Sequence, residues 1–545
     1  SQVERRQIGL RKVELITSPD ADGQGAEFHF RINGRALFMR GANWIPADAL
    51  AGRITDAGTR ALLQSAADAN MNMLRVWGGG RYETDSFYSA CDELGLLVWQ
   101  DFMFSCHLYP STEQFLGEIE QEVVDVVSRL QHHACIALWC GDNELIGALN
   151  WFDESRDNRD RYLVAYDRLN RTIEKSLKSV VSDANWWPSS PSPGLMNFGD
   201  AWHDDSSGDM HFWSVWHEGR DFDHYRDVRP RFCSEFGFQS YPSLSVVKTF
   251  ADPPDWNIAS PVLESHQKNR GGNARIAETM FRYFRFPVGF ENFLYLSQVQ
   301  QALAIKTAVT YWRSLKPHCM GALYWQLNDT WPVASWSSLE YGGGWKLLHY
   351  FARHFFAPVT VVAVPDDSGW QFKAVNDSSV AVELVLVIEA VTLDGQRRVL
   401  AEHECRVGMD SATMITALGK QSVRTEEVVY FHWSSLNRNR PKGEEQTTAT
   451  DHGEDFLFPG AYKDYQLPST ELRLQVNAGT GGHQITLSTD ALALYVALES
   501  DQPGRFSDNG FHLLPDQPVT IDFTRLTDIE PRFSVRDLYS ATVAV

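Results

Sequence analysis

The sequence predicts a multidomain protein: a (β/α)8 TIM barrel followed by two immunoglobulin-like β-sandwich domains, and preceded by the remnant strand of a missing β-sandwich. Three observations predict this arrangement. Strand and helix patterns alternate between residues 36 and 327, helical periodicity disappears after about residue 356, and the chain opens on an isolated alternating strand. The corresponding domain limits are 1–30, 31–355, 356–455 and 456–545.

The opening strand covers residues 8–16, where apolar and polar side chains alternate. The sequence offers no earlier strand as its partner. A hairpin follows, with residues 28–32 ahead of a two-residue Asn33-Gly34 turn. We therefore expect the opening strand to be the last one of a domain whose remainder is absent from this chain.

Eight apolar runs supply the strands of the predicted barrel, and the segments between them supply its helices. The clearest helix carries Phe115, Ile119, Val123, Val127 and Leu130 at spacings of three and four, which places them on one face. Eight strands with intervening helices are typical of a (β/α)8 barrel with some long loops. The predicted strands are 36–44, 73–78, 96–103, 136–139, 185–188, 211–216, 231–236 and 319–327, and the other predicted helices are 56–69, 84–94, 159–181 and 295–315.

Residues after 356 form short runs rich in β-branched and aromatic side chains, separated by turn-forming stretches, as expected for β-sandwiches. The polar run 437–455 has no apolar period and is typical of a linker or long loop, so we divide the tail into two sandwiches around it. The predicted strands are 359–364, 380–387, 403–407, 428–433, 471–476, 484–487 and 492–497.

Charge and composition exclude several classes of partner. The formal net charge is −21 with no run of Lys and Arg, whereas nucleic acids and anionic membranes are bound through basic surfaces. No apolar run approaches the ~18 residues of a membrane-spanning helix. The seven Cys are odd in number, scattered and mostly within apolar strands, which indicates reduced core thiols. The 18 Trp suit both core packing and stacking on sugar rings.

Two glutamates lie where alternating β/α folds hold their chemistry, at the C-terminal ends of strands. Glu144 follows the apolar strand 136–139 and a break at Gly141, and Glu235 lies within the apolar strand 231–236. They belong to the fourth and seventh predicted strands, which lie nearly opposite each other across the mouth of a barrel. Paired carboxylates in such a place indicate glycoside hydrolysis.

Retaining hydrolysis requires one carboxyl group that is protonated at rest and one that is ionised, about 5–5.5 Å apart. Both glutamates have surroundings rich in aromatic rings, and burial there raises the pKa of a carboxyl group. Arg75, on the second predicted strand, is placed to point inward toward Glu235, where a guanidinium lowers the pKa of a nucleophile. A structural salt bridge is the alternative role for any one of these residues.

Two other patterns suggest a bound group but lack the rest of the motif. His132-His133-x-Cys135 closes a helix and has no partners at metal-ligand spacing. Gly78-Gly-Gly80 is not followed by the helix start with Lys and Ser or Thr that a phosphate loop needs, and it suits a loop that passes close to a sugar. We therefore predict neither a metal nor a cofactor.

Five stretches across the predicted barrel, roughly residues 36–355, are together highly specific. They are Leu74-Arg-Val-Trp-Gly-Gly-Gly80, Leu97-Val-Trp-Gln-Asp-Phe-Met103, Ala137-Leu-Trp-Cys-Gly-Asp-Asn-Glu144, Ser234-Glu-Phe-Gly-Phe-Gln-Ser240 and Gly321-Ala-Leu-Tyr-Trp-Gln-Leu-Asn-Asp-Thr-Trp-Pro332. These stretches resemble the β-mannosidases of glycoside hydrolase family two, and the trailing sandwiches suit that family too. The resemblance implies a retaining exo-β-mannosidase that removes terminal β-mannose from an oligosaccharide or glycoconjugate.

By that resemblance Glu144 is the general acid/base, Glu235 is the nucleophile, and Asn143 hydrogen-bonds the sugar 2-hydroxyl. It further implies aromatic walls and a platform for mannose. It also implies two weaker contacts with the sugar, from His217 and Asp101. The alternative interpretations are a solvated loop histidine for His217 and a structural carboxylate for Asp101. These residues are Trp77, Trp151 and Trp213 for the walls, Trp325 for the platform, and His217 and Asp101 for the weaker contacts.

The chain departs from the family pattern in two places. Many relatives read Gly-Asn-Asn-Glu where this chain has Asp142, and the extra carboxylate either raises the pKa of Glu144 by like-charge repulsion or faces solvent. Family members also carry an N-terminal jelly-roll domain that contributes to the sugar pocket. We therefore expect the native protein to be longer, with its N-terminal region as a partner of this chain.

Two other functions stay open at this point. Another exo-glycosidase of the same family, such as a β-glucosaminidase, β-galactosidase or β-glucuronidase, differs in which hydroxyls or charges it reads, and the stretch 139–144 favours mannose. A non-catalytic carbohydrate-binding scaffold is a different class, which the presence of both glutamates opposes.

Overall fold

The computed structural model describes residues 7–199, 202–436, 452–479, 481–515 and 517–543. The chain divides into two compact units. The first comprises Ser1–Glu218, Asp223–Gly237 and Leu315–Thr330, and the second comprises Gly219–Phe222, Phe238–Ser314 and Trp331–Val545. None of the described helices is both long and apolar enough to cross a membrane.

The first unit begins with a three-stranded antiparallel sheet of β1 (Val13–Ile16), β2 (His29–Ile32) and β3 (Arg35–Leu37). Asn33 and Gly34 form the turn between β2 and β3 with φ of 50° and 85°, as a two-residue hairpin of this kind requires. β1 pairs with β2, so it has a partner within the chain and does not need a strand from elsewhere. That it also ends a preceding β-sandwich stays a prediction.

Eight parallel strands follow and form a curled sheet: β4 (Met39–Trp44), β5 (Met73–Val76), β6 (Leu97–Asp101), β7 (Ile136–Cys140), β8 (Trp186–Trp187), β9 (Met210–Phe212), β10 (Cys233–Phe236) and β11 (Gly321–Tyr324). Their order is β8-β7-β6-β5-β4-β11-β10-β9, the ring order of a (β/α)8 barrel with its fifth and sixth strands at the two edges. Trp187 Nε1 and Ser190 Oγ join these edges by donating to Asp209, at 2.7 and 2.6 Å. The predicted barrel is confirmed.

Apolar packing fills the N-terminal end of this barrel. Met39 and Met73, which begin β4 and β5, belong to one buried cluster with Phe28 and Phe30 at the start of the small sheet. The ring of Phe28 lies 4.7 Å from that of Trp187. Since this end is closed by hydrocarbon, the C-terminal ends of the strands are left to hold polar side chains.

The helices of the first unit are α1 (Asp56–Asp68), α2 (Asp85–Leu94), α3 (Glu113–Leu130), α4 (Leu145–Ala148), α5 (Asp153–Asp157), α6 (Arg159–Val180) and α7 (Ser214–His217). Thr55 and Thr112 cap the starts of α1 and α3 by accepting backbone N–H groups, and Gly95 ends α2 in the left-handed conformation. The apolar stripe predicted for α3 is buried except at Phe115. The predicted strand 211–216 is shorter than expected, because the chain turns into α7 after Phe212.

The second unit contains α8 (Leu244–Val247), α9 (Pro261–Ser265), α10 (Gly272–Tyr283), α11 (Phe290–Ser314), α12 (Leu347–Phe355) and α13 (Leu538–Thr542) among its described residues. The 25-residue α11 is buried along most of its length, although its sequence mixes apolar and polar residues. Its buried Gln298, Gln300 and Gln301 side chains donate hydrogen bonds to backbone carbonyl groups. Short 3₁₀ helices in the described chain cover Ala51–Arg53, Phe222–Arg226, Pro253–Asp255, Lys420–Ser422 and Tyr462–Asp464.

The first sandwich of the second unit has two antiparallel sheets around one core. Its strands are β12 (Val359–Pro365), β13 (Gly369–Asn376), β14 (Val382–Thr392), β15 (Arg397–Val407), β16 (Ser411–Gly419), β17 (Glu427–Ser435) and β18 (His452–Leu457). The sheets have the orders β12-β13-β16 and β15-β14-β17-β18, and Trp370, Phe372, Leu386 and Phe431 are among the side chains packed between them.

The second sandwich is formed by β19 (Arg473–Gly479), β20 (Gly482–Ser488), β21 (Ala493–Ser500), β22 (Gly504–Phe506), β23 (Phe511–Leu513), β24 (Val519–Arg525) and β25 (Phe533–Arg536). Its sheets have the orders β19-β20-β24-β22 and β23-β21-β25, with Ile485, Val496 and Phe523 in the shared core.

The polar run between the two predicted sandwiches ends differently from the prediction. Residues 437–451 of the run lie outside the described part of the chain, and residues 452–455 belong to β18. β18 pairs with β17, and Phe456 is buried against the ring of Tyr430 at 4.7 Å. A limit at residue 455 therefore cuts a strand of the first sandwich, and the other domain limits stay a prediction.

The seven cysteines are free thiols, five of them buried and Cys106 and Cys405 partly exposed. This agrees with the prediction of reduced core thiols.

Candidate active site

The candidate site gathers charged side chains at the C-terminal ends of the barrel strands. Arg75 lies on β5, Asp101 ends β6, Glu144 follows β7, His211 lies on β9 and Glu235 lies on β10. All five are buried, and Glu144 is the most exposed at 7%. Buried ionisable groups need partners, so their mutual contacts define what the site can do.

Glu144 is presented by a tight change of direction at the end of β7. A Cβ atom on Gly141 would lie 2.2 Å from the carbonyl oxygen of Pro188, so only glycine lets the chain pass there. Three residues later Glu144 itself has φ of 63°, in the left-handed region, immediately before α4. A non-glycine residue in this conformation costs about 1–3 kcal/mol, a cost found most often at functional positions.

The two glutamate carboxyl groups face one another. One oxygen of Glu144 and one oxygen of Glu235 lie within 4.8 Å of each other and of His211 Nδ1. His211 Nδ1 is 2.7 Å from Glu144 Oε1 and 3.7 Å from Glu235 Oε2. The barrel therefore brings together the pair that the sequence analysis singled out.

Arg75 is the only cation among the described residues that contacts this pair. Its Nη1 donates to Glu235 Oε2 and to Asn43 Oδ1, both at 2.8 Å. Its Nη2 donates to Asp101 Oδ2 at 2.8 Å and to Asn143 Oδ1 at 2.6 Å. One buried guanidinium thus positions Glu235, Asp101 and Asn143 together.

The two carboxyl groups differ in their donors. Glu235 accepts hydrogen bonds at both oxygens, from Arg75 at Oε2 and from Trp213 Nε1 at Oε1, 3.1 Å away. Glu144 has His211 at Oε1 and the thiol of Cys106 at Oε2, 3.3 Å away. Strong donors favour the ionised form of a carboxyl group, so the surroundings favour an ionised Glu235 over an ionised Glu144.

The pKa values of both glutamates are raised, but the causes of the two shifts differ. Burial, followed by the charge of Glu235, raises the pKa of Glu144 to about 8. Burial also raises the pKa of Glu235, to about 7, while Arg75 and Trp213 act to lower it. Burial raises the pKa of Asp101 to about 6 against the opposing charge of Arg75.

Sequence reasoning missed two residues that contact Glu144. His211 stands at the start of the run that was predicted as the strand 211–216, which pointed away from a site at strand ends, whereas β9 in fact ends at Phe212, and His217 was chosen instead. Burial and the charge of Arg75 hold the pKa of His211 well below its usual value, so its imidazole is neutral. Burial raises the pKa of the Cys106 thiol to about 12, which keeps it protonated.

The predicted tryptophans lie in three places. Trp77 and Trp325 form an edge-to-face pair with ring centroids 5.0 Å apart, and the Trp325–Gln326 peptide is cis. Trp213 contacts Glu235 directly, as described above. Trp151 is 44% exposed and stacks on Trp202 at 5.7 Å.

The other predicted polar residues have different surroundings. His217 is exposed at the end of α7, with its ring 5.3 Å from that of Trp213, and the imidazole that bonds Glu144 belongs to His211. Asp142 does not face solvent. It is buried, and its Oδ1 accepts from Ser189 Oγ at 2.5 Å and from the backbone N–H of Leu145 at 3.1 Å.

The two patterns that suggested bound groups have different surroundings in the described chain. Asp92 Oδ2 and Oδ1 lie 2.7 Å from His133 Nδ1 and from the backbone nitrogen of Cys135. Asp92, His133 and Cys135 therefore come together within metal-ligand distance, whereas the sequence analysis found no such partner. A Cβ atom on Gly78 would lie 2.7 Å from the carbonyl oxygens of Phe102 and Phe104, so this glycine permits close backbone packing.

An eight-stranded barrel with two facing carboxyl groups at its strand ends defines a class of protein. Glycoside hydrolases of this architecture use such pairs, one group as acid/base and one as nucleophile or base. This fold and this pair of carboxyl groups are thus typical of glycoside hydrolases.

Comparison with known proteins gives the family. A model of the Ig-fold mannosidase domain matches residues 467–541. The β-mannosidase of Capra hircus is 34% identical over 97% of this chain and 63% of its own length, and β-mannosidase B of Thermothelomyces thermophilus is 31% identical over 97% and 66%. The crystal structure of β-D-mannosidase from Dictyoglomus thermophilum matches with a TM-score of 0.86 and 31% identity, over 97% of this chain and 64% of that one.

A more distant structure shares the fold alone. The exo-chitosanase of Amycolatopsis orientalis matches with a TM-score of 0.73 at 13% identity, over 97% of this chain and 66% of its own. Taken together, the curated relatives and the solved mannosidase show that nearly the whole of this chain is similar to β-mannosidases, which are glycoside hydrolases. The chain spans about 63% of the length of the first of these relatives.

Proposed function

We propose that the protein is a retaining exo-β-D-mannosidase, which hydrolyses terminal non-reducing β-D-mannose residues by double displacement. The spacing of Glu144 and Glu235, with carboxylate oxygens within 4.8 Å, is the observation that supports this most directly. Retaining glycosidases hold the two carboxyl groups about 5–5.5 Å apart, whereas inverting enzymes leave about 6.5–9.5 Å for a water molecule.

In the first step, Glu235 attacks the anomeric carbon of mannose while Glu144 gives its proton to the glycosidic oxygen. The bond between the anomeric carbon and that oxygen breaks, the aglycone leaves as an alcohol, and an ester joins mannose to Glu235. The hydrogen bonds from Arg75 and Trp213 keep Glu235 ionised and aimed before the attack.

In the second step, Glu144 is a carboxylate and takes a proton from water. The water oxygen attacks the anomeric carbon and the ester bond to Glu235 breaks. Mannose leaves with its original anomeric configuration, and both glutamates return to their starting protonation states. A pKa of Glu144 raised to about 8 suits both steps, because the group holds its proton near neutral pH and accepts one readily afterwards.

Neighbouring residues are proposed to place the sugar. Asn143 precedes Glu144, and its amide is held by Arg75 at Oδ1 and by Ser105 Oγ and Cys106 Sγ near Nδ2, both 3.3 Å away. We assign it the contact with the 2-hydroxyl, where the fixed amide strengthens its bond as charge develops in the transition state.

The aromatic residues are proposed to bound the mannose ring. Trp77 and Trp325 form one corner through their edge-to-face contact, with Trp325 as the platform, and Trp213 and Trp151 form further walls. We assign Arg75 and Asp101 to positioning the carboxyl groups and Asn143, and His217 to the rim of the site.

The choice of mannose follows from the names of the relatives, which are β-mannosidases. The substrate is accordingly a β-mannoside oligosaccharide or glycoconjugate. From the resemblance to glycoside hydrolase family two, we also propose that an N-terminal region of the same protein completes the pocket.

A panel of aryl glycosides tests this function on the full-length protein. We expect hydrolysis of aryl β-mannoside at least about 10²-fold faster than of the matching β-glucosaminide, β-galactoside and β-glucuronide, since sites that bind a particular hydroxyl strongly reject analogues without it. The configuration of the first product, followed by proton NMR, should be β. Preference for another glycoside would favour a sister activity, an α product would reject retention, and binding without turnover would indicate a carbohydrate-binding scaffold.

A further inference from the structure

We propose that Asp209, Ser190 and His211 form a hydrogen-bonded chain that fixes the tautomer of the imidazole and thereby holds a proton on Glu144 in the resting protein. The inference rests on the proposed function, because it concerns the group to which we assign the role of acid/base. His211 touches Glu144 and acts through it, so it is a positioning residue.

This series of hydrogen bonds runs from one edge of the barrel sheet to the site. Asp209 Oδ2 lies 2.6 Å from Ser190 Oγ, which lies 3.0 Å from His211 Nε2, and His211 Nδ1 lies 2.7 Å from Glu144 Oε1. Asp209, Ser190 and His211 are each at most 2% exposed. With so little access to water, the direction of each hydrogen bond is set by its protein partners.

Asp209, at the end of the series far from Glu144, determines which atoms donate. Its Oδ1 accepts hydrogen bonds from two groups that can only donate, Trp187 Nε1 at 2.7 Å and the backbone N–H of Ser192 at 3.0 Å. Its Oδ2 has two hydroxyls as neighbours, Ser190 Oγ at 2.6 Å and Ser234 Oγ at 2.5 Å. An ionised Asp209 satisfies all four contacts, with both serine protons pointing to it.

The donor in the hydrogen bond between Ser190 and Asp209 then determines the donor in each following hydrogen bond of the series. A hydroxyl has one proton, and that of Ser190 is used on Asp209, so Ser190 can only accept from His211. His211 is neutral and has one N–H, which must be on Nε2. Its Nδ1 therefore presents a lone pair to Glu144 Oε1, and a contact of 2.7 Å between them requires the proton to belong to Glu144.

Charged groups around the chain reinforce this arrangement. Arg75 disfavours a second proton on His211, and the charge of Glu235 favours a neutral Glu144. Burial raises the pKa of Asp209, and its hydrogen bonds with Ser190, Ser234, Trp187 and Ser192 oppose that rise. The titratable groups that surround the chain and Glu144 are Arg75, Asp101, Cys106, Asp142, Asp209 and Glu235.

The arrangement serves both steps of the proposed reaction. A hydrogen bond that needs the neutral carboxyl raises the pKa of Glu144, which keeps the acid loaded. After Glu144 has given up its proton, the same lone pair faces a carboxylate. This unfavourable contact makes Glu144 a stronger base toward the incoming water.

An isosteric substitution can reverse the donors and acceptors in this series of hydrogen bonds. In Asp209→Asn, the amide Nδ2 replaces Oδ2 and donates to Ser190, whose proton then turns to His211 Nε2. His211 must carry its proton on Nδ1 and donate it to Glu144, which favours the carboxylate. We expect the basic limb of the kcat/KM profile for aryl β-mannoside to move to lower pH by about one unit, the effect of exchanging one hydrogen bond for its reverse.

Two serine variants separate the chain from general damage to the site. Ser190→Ala and Ser234→Ala each remove one hydroxyl from Asp209 Oδ2, but only Ser190 contacts His211 directly, and the Ser234 hydroxyl otherwise meets the series only at Ser190 Oγ, 3.3 Å away. We expect Ser190→Ala to shift the basic limb downward and Ser234→Ala to leave it in place. Equal shifts in the two serine variants, or an unmoved limb in Asp209→Asn, would overturn the proposal.

Neutron diffraction of the unsubstituted, deuterium-exchanged protein gives a readout independent of activity. We expect a deuteron on His211 Nε2, none on Nδ1, and one on Glu144. A deuteron on Nδ1 would overturn the chain whatever the substrate. If the full-length protein fails to hydrolyse β-mannosides, the proposed function fails instead, and the neutron result still decides the chain.

Discussion

Two glutamates of the same chemical type acquire different roles from their immediate neighbours. Glu235 receives hydrogen bonds from Arg75 and Trp213, whereas Glu144 faces a neutral imidazole and a thiol. Donors with charge favour the carboxylate, and neutral or accepting neighbours favour the acid. Three expectations at the residue scale follow from this difference.

Glu235→Gln should abolish the proposed turnover, because the amide cannot form the ester. We expect kcat for aryl β-mannoside to fall by about 10⁴-fold or more, as for other catalytic nucleophiles. Glu83→Gln is a matched control, since Glu83 is also buried in the first unit and bonds Trp44 Nε1 away from the site. Comparable losses in the two variants would argue for a general structural effect.

Glu144→Ala should separate substrates by their leaving groups. A good leaving group departs without a proton, so we expect a far smaller loss of the first-step rate for dinitrophenyl β-mannoside than for a mannobiose. Added azide should restore turnover of the activated substrate by replacing the water that lacks a base. Equal losses for both substrates, measured by burst and steady-state kinetics, would reject the acid/base role.

The pH profile of kcat/KM should be bell-shaped, with its maximum near neutral pH. Glu144 must be protonated, and its pKa is raised to about 8, so activity falls as pH rises through about 8. Glu235 must be ionised, and burial raises its pKa, so activity falls as pH decreases and the group gains its proton. The two apparent pKa values of the profile belong to the interacting pair of Glu144 and Glu235. A kcat/KM that still increases above a pH of about 8 would contradict the assignment.

At the scale of elements, the ends of the barrel strands decide where side chains lie. β7 ends close to the segment after β8, and Gly141 gives the backbone room to do so before the left-handed turn at Glu144. The two facing carboxyl groups therefore depend on a backbone contact between neighbouring strand ends as well as on their own chemistry.

Gly141→Ala tests this contact. The new methyl group would lie 2.2 Å from the carbonyl oxygen of Pro188, so we expect a loss of about 1–3 kcal/mol in the free energy of unfolding, together with lower kcat. Gly117→Ala in α3 is the control, because its Cβ would meet nothing within 4 Å. It should stabilise the helix by about 0.5–1 kcal/mol in the same denaturant titration. A neutral Gly141→Ala would show that the strand end adjusts freely.

At the scale of the whole molecule, the chain holds a barrel and two sandwiches, and it spans 64% of the solved β-D-mannosidase that it resembles. The five ionisable residues of the site lie within the first unit. The residues proposed for the chemical step therefore all belong to one compact unit, whereas binding of the sugar is proposed to need an N-terminal region as well.

Comparison of the full-length protein with a protein limited to these 545 residues tests that proposal. We expect the shorter protein to have a higher KM for aryl β-mannoside by about 10-fold or more, as when about 1.4 kcal/mol of binding is lost. Thermal unfolding of both proteins is the control for folding. Identical KM values would show that the N-terminal region does not line the sugar pocket.

The barrel, the two sandwiches and the pair of glutamates were all predicted from the amino-acid sequence. Short apolar runs located all eight barrel strands, because such strands are buried on both faces, and an apolar period of three to four located α3, because one face of this helix is buried. Some longer strands were missed, such as β16, in which Leu418 alone is buried, so that its nine residues carry little apolar period. Glu144 and Glu235 were recognisable because polar residues at the ends of apolar runs are conspicuous.

The set of side chains that meet in the site could be read only from the folded barrel. Asp209, Ser190 and His211 come from separate stretches, and no periodicity links them, because their contact exists only once the barrel edges meet. The same reason led to the choice of His217 over His211, which are six positions apart on either side of a change from strand to helix. Local sequence determines where a strand ends, whereas the protonation of a buried group depends on neighbours from the whole fold.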